Sequence, residues 1–318
     1  MSDQITHRNV EHSIEVDAEA EAVYELIEDV NKWPQIFPPT IHAQRLSRSG
    51  NIEFIEIWAT AVGEVRHWTS QRQIDSAGLR ISFRQMPRHD SGVNMGGSWV
   101  IKPLSTGRSL VTLLHDYSTA DSSNLAWLDQ SVDENSKSEL SSLKKNVEQN
   151  IARSDCLFSF EDSVDVTGDA SSLFDFIYDA GSWPERLPHV AAVKLDEPSE
   201  GVQSLEMETR SHDGSVHTTK SYRVQVNGRI AYKQYTLPAL LELHTGVWSF
   251  TEKDGFVEAK SQHTVILNKD AIQSTLGKSA NIYSAKDYVR KALGTNSLAT
   301  LNLAKQHVET FSSIEGAS

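Results

Sequence analysis

The hydrophobic and polar positions of this chain follow one pattern that occurs twice along its length. Each copy begins with alternating polar and apolar residues, at positions 10–16 and again at 158–166, which is typical of a strand with one buried face. A helix is predicted next, over residues 22–30 and 171–180, because apolar residues recur there at steps of three and four. Both copies therefore begin with a strand and a helix.

A Trp-Pro step follows each predicted helix, at Trp33-Pro34 and at Trp183-Pro184. The residue before a proline is disfavoured in the helical region, so we expect both helices to end there. Period-two segments separated by Gly, Asp and Ser follow in the first copy and predict an antiparallel sheet. These segments cover residues 52–60, 66–75, 80–86, 97–102 and 110–117.

A long amphipathic helix is expected to close each copy, over residues 125–151 and 282–311. One serine interrupts each apolar stripe, Ser136 in the first copy and Ser297 in the second. A polar residue on a core-facing stripe needs a partner or a wet cavity, or else its hydroxyl bonds back to its own helix. Because the interruption occurs at matching places in both copies, the pattern favours a cavity.

The two copies are separated by close to 150 residues, and the spacing grows by about ten before the last helix. Arg84-Gln85 corresponds to Lys233-Gln234, and Gly97-Ser98-Trp99 corresponds to Gly246-Val247-Trp248. Two copies at this period indicate two homologous domains, which we place at residues 1–152 and 153–318. A strand, a helix, an antiparallel sheet and a long C-terminal helix predict an α+β, helix-grip (START-like) fold in each domain, with a pocket between sheet and helix.

The composition indicates which classes of partner and which cellular compartment to expect. The formal charge of −13 argues against nucleic acid, because neutralising phosphates needs a basic surface. No apolar run approaches the length of about 18 residues that a membrane helix needs, and we expect no membrane partner. The polar N-terminus lacks a signal core, and Cys156 is the only cysteine, which excludes internal disulfides; together these features favour the cytoplasm.

Three segments of the first copy resemble the first half of di-domain polyketide aromatase/cyclases. They are Trp33-Pro-Gln-Ile-Phe-Pro-Pro, Glu64-Val-Arg-His-Trp-Thr-Ser-Gln-Arg72 and Met95-Gly-Gly-Ser-Trp99. His217-Thr-Thr-Lys-Ser-Tyr-Arg223 and the segment from Tyr232 to His244 resemble the second half of the same family. The resemblance covers nearly the whole chain.

This resemblance implies an enzyme of type II aromatic polyketide and antibiotic biosynthesis. It would direct first-ring aldol cyclisation, then dehydration and aromatisation, of a poly-β-ketone carried by an acyl carrier protein. A ketosynthase and a ketoreductase of the same pathway are further expected partners. The resemblance also favours a first ring closed between C7 and C12. A methylene between two carbonyls is already acidic, so we expect no metal and no cofactor.

Two catalytic residues are assigned in the first copy. Arg72 is at the position where, by resemblance, single-domain members of the family have their catalytic arginine, and it would stabilise developing oxyanions. Without the resemblance, a surface arginine paired with a carboxylate such as Asp75 is the simpler interpretation. His115 is the candidate proton shuttle, and a hydrogen-bonded core histidine is the equal alternative.

The remaining candidates are expected to contact the substrate. Trp68 and Ser70 share strand parity with Arg72, and Gly96-Gly97 indicates a close approach of ligand or backbone, or a bulge. Arg223 is offset by one residue from Arg72, since gapless alignment places Ser221 there and a glycine match places Tyr222 there. The full predicted binding set is Phe37, Trp68, Ser70, Gln85, Met95, Trp99, Ser136, Arg223, Gln234, Trp248 and Ser297.

Two other classes of function are weighed against the enzyme. The first is a non-catalytic START-like carrier of a hydrophobic small molecule. The second is an assembly role, in which one copy binds substrate and the other is only structural. Nucleotide-binding and metalloprotease motifs are absent from the sequence.

Overall fold

The computed structural model describes residues 5–61, 63–86, 93–119, 125–210 and 216–315. Its chain divides into two compact units, Met1–Ile151 and Ala152–Ser318. We call them the N-terminal unit and the C-terminal unit.

The N-terminal unit contains one antiparallel sheet of seven strands, in the order β1-β7-β6-β5-β4-β3-β2. Its helices are α1 (Ala20–Glu28), α2 (Trp33–Ile36) and the closing helix α3 (Leu125–Arg153). Its strands are β1 (Thr6–Val16), β2 (Thr40–Ser49), β3 (Ile52–Ala61), β4 (Glu64–Asp75), β5 (Arg80–Gln85), β6 (Val93–Ser105) and β7 (Arg108–Thr119).

The C-terminal unit repeats this topology, with the strand order β8-β14-β13-β12-β11-β10-β9. Its helices are α4 (Ala170–Tyr178), α5 (Trp183–Arg186), α6 (Ile272–Leu276) and the closing helix α7 (Ile282–Glu315). Its strands are β8 (Leu157–Val166), β9 (Val190–Ser199), β10 (Val202–Arg210), β11 (Val216–Val226), β12 (Arg229–Thr236), β13 (Leu241–Lys253) and β14 (Phe256–Leu267).

The predicted α+β architecture, an antiparallel sheet closed by a long helix in each copy, is confirmed, and each sheet has seven strands. Strand β2 was not predicted, and its burial explains why. Thr40, Ile41, Ala43 and Gln44 are all buried, so the start of the strand does not alternate between a polar and an apolar face.

The Trp-Pro steps have a different role from the one expected. Helix α1 ends at Glu28, and a 3₁₀ turn over Val30–Lys32 separates it from α2, which begins at Trp33. Pro34 lies in the first turn of α2, where a missing N–H breaks no helical hydrogen bond. The Trp-Pro step therefore starts a helix.

The core of each unit lies between the sheet and its helices. Helix α1 buries Ala20, Val23, Tyr24 and Ile27, which pack with sheet residues such as Ile81 and with α3. In the C-terminal unit, α4 buries Leu173, Phe176 and Ile177 in the same way. Each fully buried Val or Ile contributes roughly 1.5–3 kcal/mol, which holds the helix over the sheet.

One insertion distinguishes the two units. The connection between β14 and α7 spans residues 268–281 and contains α6, whereas residues 120–124 alone connect β7 to α3. This difference accounts for the longer spacing between the copies before the last helix. Within the described ranges, no helix combines the length and the apolar character that crossing a bilayer requires.

Candidate active site

A cavity of about 130 Å³ lies inside the C-terminal unit, between the sheet and α7. Alternate residues of β11 face it, as strand geometry requires. Its apolar wall includes Trp183, Leu205, Met207, Pro238, Trp248 and Leu293. Its polar lining includes His189, Thr209, His217, Thr219, Ser221, Arg223, Tyr232, Gln234, His244, His263, Asn296 and Thr300.

Arg223 brings a buried positive charge to this cavity. Its Nη2 donates to the carbonyl oxygen of Ile177, and its Nη1 donates to that of Tyr178 at 3.5 Å, at the end of α4. The guanidinium lies over the Trp183 ring, 4.9 Å from the ring centroid. Burial lowers the pKa of Arg223 to about 10, so the side chain is still protonated at neutral pH.

No carboxylate neutralises Arg223 within hydrogen-bonding distance among the residues that the structure describes. Its register partner on β10 is Gln203, whose amide donates to the carbonyl of Tyr178 at 3.2 Å. The Nε of Arg223 is buried without a partner in the same described set. The charge of Glu197 acts on Arg223 only from beyond hydrogen-bonding distance, and a buried cation without a direct carboxylate partner favours an anionic or strongly polarised oxygen nearby.

Three further side chains meet at the inner surface of β12, β13 and β14. The phenolic oxygen of Tyr232 lies 3.0 Å from Nδ1 of His263 and 3.3 Å from Nε2 of His244. These two imidazole nitrogens are 2.9 Å apart. All three side chains are at least 90% buried and line the cavity.

Outer contacts orient the two imidazoles. Nδ1 of His244 lies 2.9 Å from Oε1 of Gln234, which is an acceptor, so His244 carries its hydrogen on Nδ1 and a lone pair on Nε2. Nε2 of His263 contacts the Ser261 hydroxyl at 3.1 Å. Burial lowers the pKa of His263 to about 4 and that of His244 well below its ordinary value, and burial raises the pKa of Tyr232. At neutral pH this cluster is uncharged.

The structure places Arg72 at the equivalent position of the N-terminal unit, with a different electrostatic environment. Its Nε and Nη2 donate to Oε1 of Glu53, at 2.8 and 2.5 Å, and both groups are almost fully buried. The other donors bind the carbonyls of Ile27 and Glu28 at the end of α1. Arg72 therefore forms a buried ion pair that anchors α1, and a catalytic role for it stays a prediction.

The register resolves which residue of the second copy corresponds to Arg72. Arg72 pairs with Glu53 across β3 and β4, and Arg223 pairs with Gln203 across β10 and β11. Each arginine also contacts the last carbonyls of the first helix of its unit. Arg223 is the counterpart, and neither Ser221 nor Tyr222 is. Gapless alignment missed it because the chain has one more residue between Trp183 and Arg223 than between Trp33 and Arg72.

His115 is held within the N-terminal unit. Its Nδ1 lies 3.3 Å from the Ser136 hydroxyl, which also donates to the carbonyl of Val132 at 2.6 Å, and its ring meets the Phe83 ring edge-on. Burial lowers the pKa of His115 to about 4. Ser136 thus has both the polar partner and the bond to its own helix that the sequence allowed.

Ser297 lies in a comparable place on α7. Its hydroxyl contacts the carbonyls of Leu293 and Gly294 at 3.1 and 3.2 Å, and it reaches Asp162 at 3.5 Å. Asp162 also pairs with Arg290 at 2.6 Å. The cavity-lining residues on this part of α7 are Leu293, Asn296 and Thr300.

The other predicted binding residues of the first copy lie in three places. Phe37 and Trp99 stack on each other, with ring centroids 6.2 Å apart, inside the main hydrophobic core. Ser70 is buried on β4, and Trp68 packs against the cluster around Ile55. Gln85 and Met95 contact each other on β5 and β6, with 3.8 Å between Nε2 and Sδ. Of the eleven predicted binding residues, the described cavity brings together Arg223, Gln234 and Trp248.

The predicted close approach at Gly96-Gly97 involves protein atoms. A Cβ on Gly97 would lie 1.9 Å from the carbonyl oxygen of Leu114 and 2.8 Å from the Phe83 ring. At the equivalent Gly246, a Cβ would lie 2.3 Å from the Tyr232 hydroxyl. Each glycine thus lets an aromatic ring from the neighbouring strand cross over it.

Sequence analysis did not identify Tyr232, His244 or His263 as functional residues. Tyr232 and His263 face each other across Gly246, as Phe83 and His115 do across Gly97, so aligning the copies by register would have found the pair. Glu139 on α3 was also missed, and burial raises its pKa to about 7. Among the described residues, no cluster of three or more His, Cys, Asp or Glu side chains is arranged for a metal ion.

Comparisons with a protein family and with individual proteins agree on polyketide cyclases and dehydratases as relatives of this chain. Residues 7–148 match the family described as "Polyketide cyclase / dehydrase and lipid transport". The chain is 44% identical over 298 residues to the granaticin polyketide synthase bifunctional cyclase/dehydratase of Streptomyces virginiae, covering 93% of this chain and 98% of that relative. It is 38% identical over 310 residues to the actinorhodin polyketide synthase bifunctional cyclase/dehydratase of Streptomyces coelicolor, with 94% and 96% coverage.

Solved structures extend the similarity over both units. The di-domain ARO/CYC BexL from the BE-7585A biosynthetic pathway has a TM-score of 0.86 and 49% identity, covering 95% of this chain and 99% of that one. The di-domain ARO/CYC StfQ from the steffimycin biosynthetic pathway also has a TM-score of 0.86, at 31% identity, with 96% and 99% coverage.

Proposed function

The chain belongs to the family of di-domain polyketide aromatase/cyclases, and from that premise we propose that the cavity of its C-terminal unit holds a poly-β-ketone during first-ring aldol cyclisation and dehydration. The protein is an enzyme of aromatic polyketide biosynthesis. The geometry favours the C-terminal unit over the N-terminal unit as the site of this reaction.

The observation that supports the C-terminal unit is the state of its arginine. Arg223 lines the cavity with no carboxylate partner among the described residues, whereas Glu53 neutralises Arg72. In ring closure an enolate carbon attacks a ketone carbon, one C–C bond forms, and the ketone oxygen becomes an alkoxide. A fixed cation beside that oxygen stabilises the charge as it develops.

The cavity wall supplies the second requirement of the reaction. A free poly-β-ketone has many competing ring closures, so an enzyme must hold one near-attack conformer. Trp248 and Leu205 offer flat and branched apolar surfaces beside Arg223, and the Gln234 amide is available to ketone oxygens. Binding of this kind selects the ring that forms and accelerates its closure.

The partners follow from the same chemistry. Relatives of this chain are components of polyketide synthases. We propose that an acyl carrier protein delivers the chain in the cytoplasm after a ketosynthase, and in reducing pathways a ketoreductase, has acted on it. The single cysteine, Cys156, is buried and free, which is compatible with a reducing compartment.

The test replaces Gln203, which lies opposite Arg223 on the neighbouring strand, and leaves the arginine in place. Gln203→Glu recreates the Glu53–Arg72 pair in the C-terminal unit, so it should fold while neutralising the cation. Product analysis with a minimal polyketide synthase is expected to show roughly a 100-fold lower rate of correct ring formation. Gln225→Glu is the matched control, because it adds the same charge at an exposed position of β11.

The outcomes separate the candidate functions. Wild-type products from folded Gln203→Glu and Arg223→Gln variants would contradict a catalytic role for this cavity. Weaker binding of a polyketide mimic with unchanged product distribution would indicate a carrier. If Glu53→Gln in the N-terminal unit alters the products and Gln203→Glu does not, the assignment to the C-terminal unit is wrong.

A further inference from the structure

We propose that Tyr232, His244 and His263 form a proton-relay site that dehydrates the cyclised β-hydroxy ketone. The inference rests on the proposed function, since it requires the substrate to occupy the C-terminal cavity. It assigns the dehydration to particular atoms and to one of the two units.

The geometry of the three polar atoms supports a relay. The Tyr232 oxygen, Nε2 of His244 and Nδ1 of His263 form a triangle with sides of 2.9, 3.0 and 3.3 Å. Every side is short enough for a hydrogen bond, so a proton can move between any two corners. All three side chains line the cavity and are almost completely buried, which excludes bulk water from the transfer.

The protonation state of the cluster fits both halves of the reaction. Burial keeps the imidazoles neutral and Tyr232 protonated at neutral pH, so a base and an acid are present together. Gln234 directs the hydrogen of His244 onto Nδ1 and leaves the Nε2 lone pair inside the triangle. A core packed for stability alone does not need two imidazoles and a phenol in mutual contact, because buried polar groups cost free energy.

The N-terminal unit lacks this arrangement at equivalent positions. Phe83 pairs with Gly97 as Tyr232 pairs with Gly246, and it has no hydroxyl. Met95, two residues before Gly97, takes the place of His244, two residues before Gly246. Only His115 corresponds to a member of the cluster, His263, through its pairing with the glycine. The same fold therefore packs without the relay.

The reaction balances without a co-reactant. The C–H bond of the carbon between the carbonyl and the hydroxyl-bearing carbon breaks, its proton goes to Nε2 of His244, and the electrons form an enolate beside Arg223. Tyr232 then donates its proton to the hydroxyl oxygen, the C–O bond breaks, a C=C bond forms, and water leaves. The proton on Nε2 of His244 returns to the tyrosinate oxygen across the 3.3 Å contact.

Tyr232→Phe tests the relay with little risk to the fold, because Phe83 occupies the same position in the N-terminal unit. Incubated with a minimal polyketide synthase, the variant should retain the ring-closure pattern but dehydrate about 100-fold more slowly. A cyclised product heavier by one water should accumulate in mass spectra. Tyr222→Phe is the matched control, since that ring packs against Tyr235 outside the cavity lining.

A second variant tests the relay at one of its histidines. His244→Met copies the N-terminal unit and should accumulate the same hydrated product. Wild-type dehydration by folded Tyr232→Phe and His244→Met overturns the relay and leaves the proposed function standing. Loss of ring closure and dehydration together, with no hydrated product, also overturns it, because a relay acts only after the ring has closed. Failure of Gln203→Glu to alter any product would instead contradict the proposed function.

Discussion

Two equivalent arginines show how one neighbouring residue changes what a side chain can do. Arg72 and Arg223 occupy the same place on equivalent strands and hold the end of equivalent helices. The carboxylate of Glu53 pairs directly with the first and also with Arg45 at 2.7 Å, whereas Gln203 carries no charge and Glu197 acts on the second arginine only from beyond hydrogen-bonding distance. We therefore expect the same residue type to be mainly structural in one unit and available for an oxyanion in the other.

Removing Arg72 should cost mainly stability. Arg72→Ala leaves Glu53 buried without this partner and frees the carbonyls at the end of α1. Loss of one member of a buried ion pair costs about 3–5 kcal/mol in the free energy of unfolding, and we expect the lower end of that range because Arg45 still pairs with Glu53 at 2.7 Å. Urea titration of the variant should show this loss in the transition of the N-terminal unit.

Arg84→Ala is the control for this variant, since Arg84 pairs with Asp116 at 2.6 Å but both side chains are more than 40% exposed. An exposed pair contributes at most about 1 kcal/mol. If Arg72→Ala is no more damaging to stability than Arg84→Ala, while ring formation is lost, Arg72 acts in catalysis as the family resemblance implies.

At the scale of strands, one glycine positions the relay. Tyr232 on β12 lies across Gly246 on β13, and the ring contacts His263 on β14. A Cβ at position 246 would lie 2.3 and 2.4 Å from the Tyr232 Oη and Cζ atoms. The three strands bring the relay together only because the middle one has no side chain there.

Gly246→Ala is therefore expected to displace the Tyr232 ring, and with it the backbone carbonyl of Gln262, which would lie 2.5 Å from the new Cβ. Overpacking of this kind costs about 1–3 kcal/mol in stability, which chemical denaturation measures. Dehydration should slow in the reconstituted reaction, and the hydrated cyclic product should accumulate as in Tyr232→Phe. In a Tyr232→Phe background, Gly246→Ala should leave dehydration unchanged. Additive losses in the double variant would show that Gly246 acts by another route.

At the scale of the whole molecule, buried titratable groups give the two units different pH dependence. The buried imidazoles of His244 and His263 have lowered pKa values, so the unfolded chain binds protons between pH 6.5 and about 4 that the folded C-terminal unit excludes. Their stability contribution is complete above pH 6.5 and is lost as the pH falls. In the N-terminal unit the lowered pKa of His115, also about 4, acts in the same direction as that of His263. Glu139 offsets it, because its raised pKa makes the N-terminal unit lose stability between pH 4.5 and about 7 as the pH rises.

Mild acid should therefore destabilise the C-terminal unit first. Between pH 7 and pH 5, His263 alone accounts for roughly 2 kcal/mol. Calorimetry at the two pH values should show the transition of the C-terminal unit moving to lower temperature relative to the other. Glu139→Gln should shift only the transition of the N-terminal unit. This variant therefore shows which calorimetric transition belongs to which unit. Parallel shifts of both transitions would contradict this account.

The elements were largely predictable because their signals are local. Period-two segments and three- and four-residue steps report which face of a strand or helix is buried, and they recur in both copies. Strand β2 was not predicted from the sequence because its first residues are buried on both faces. The Trp-Pro steps were assigned to the wrong end of a helix, since a proline is compatible with a first turn as well as with a stop.

The site was predictable only in part. Arg223, Gln234 and Trp248 were named from the sequence and do line the cavity, because strand parity turns them to the inner face. Phe37 and Trp99 were named on the same grounds and pack in the core. Parity places a side chain on a face but does not reveal whether a ligand or another side chain covers it.

The repeated periodicity was sufficient to predict two α+β copies and their closing helices, and separate sequence motifs indicated the family that the chain resembles, since each signal depends on residues near one another in sequence. Tertiary structure alone decided that Glu53 neutralises Arg72 and that no such partner reaches Arg223 among the described residues. It also decided that Tyr232, His244 and His263 meet. The physical reason is that charge compensation, desolvation and proton transfer depend on distances through space, which separate strands set only when the sheet forms.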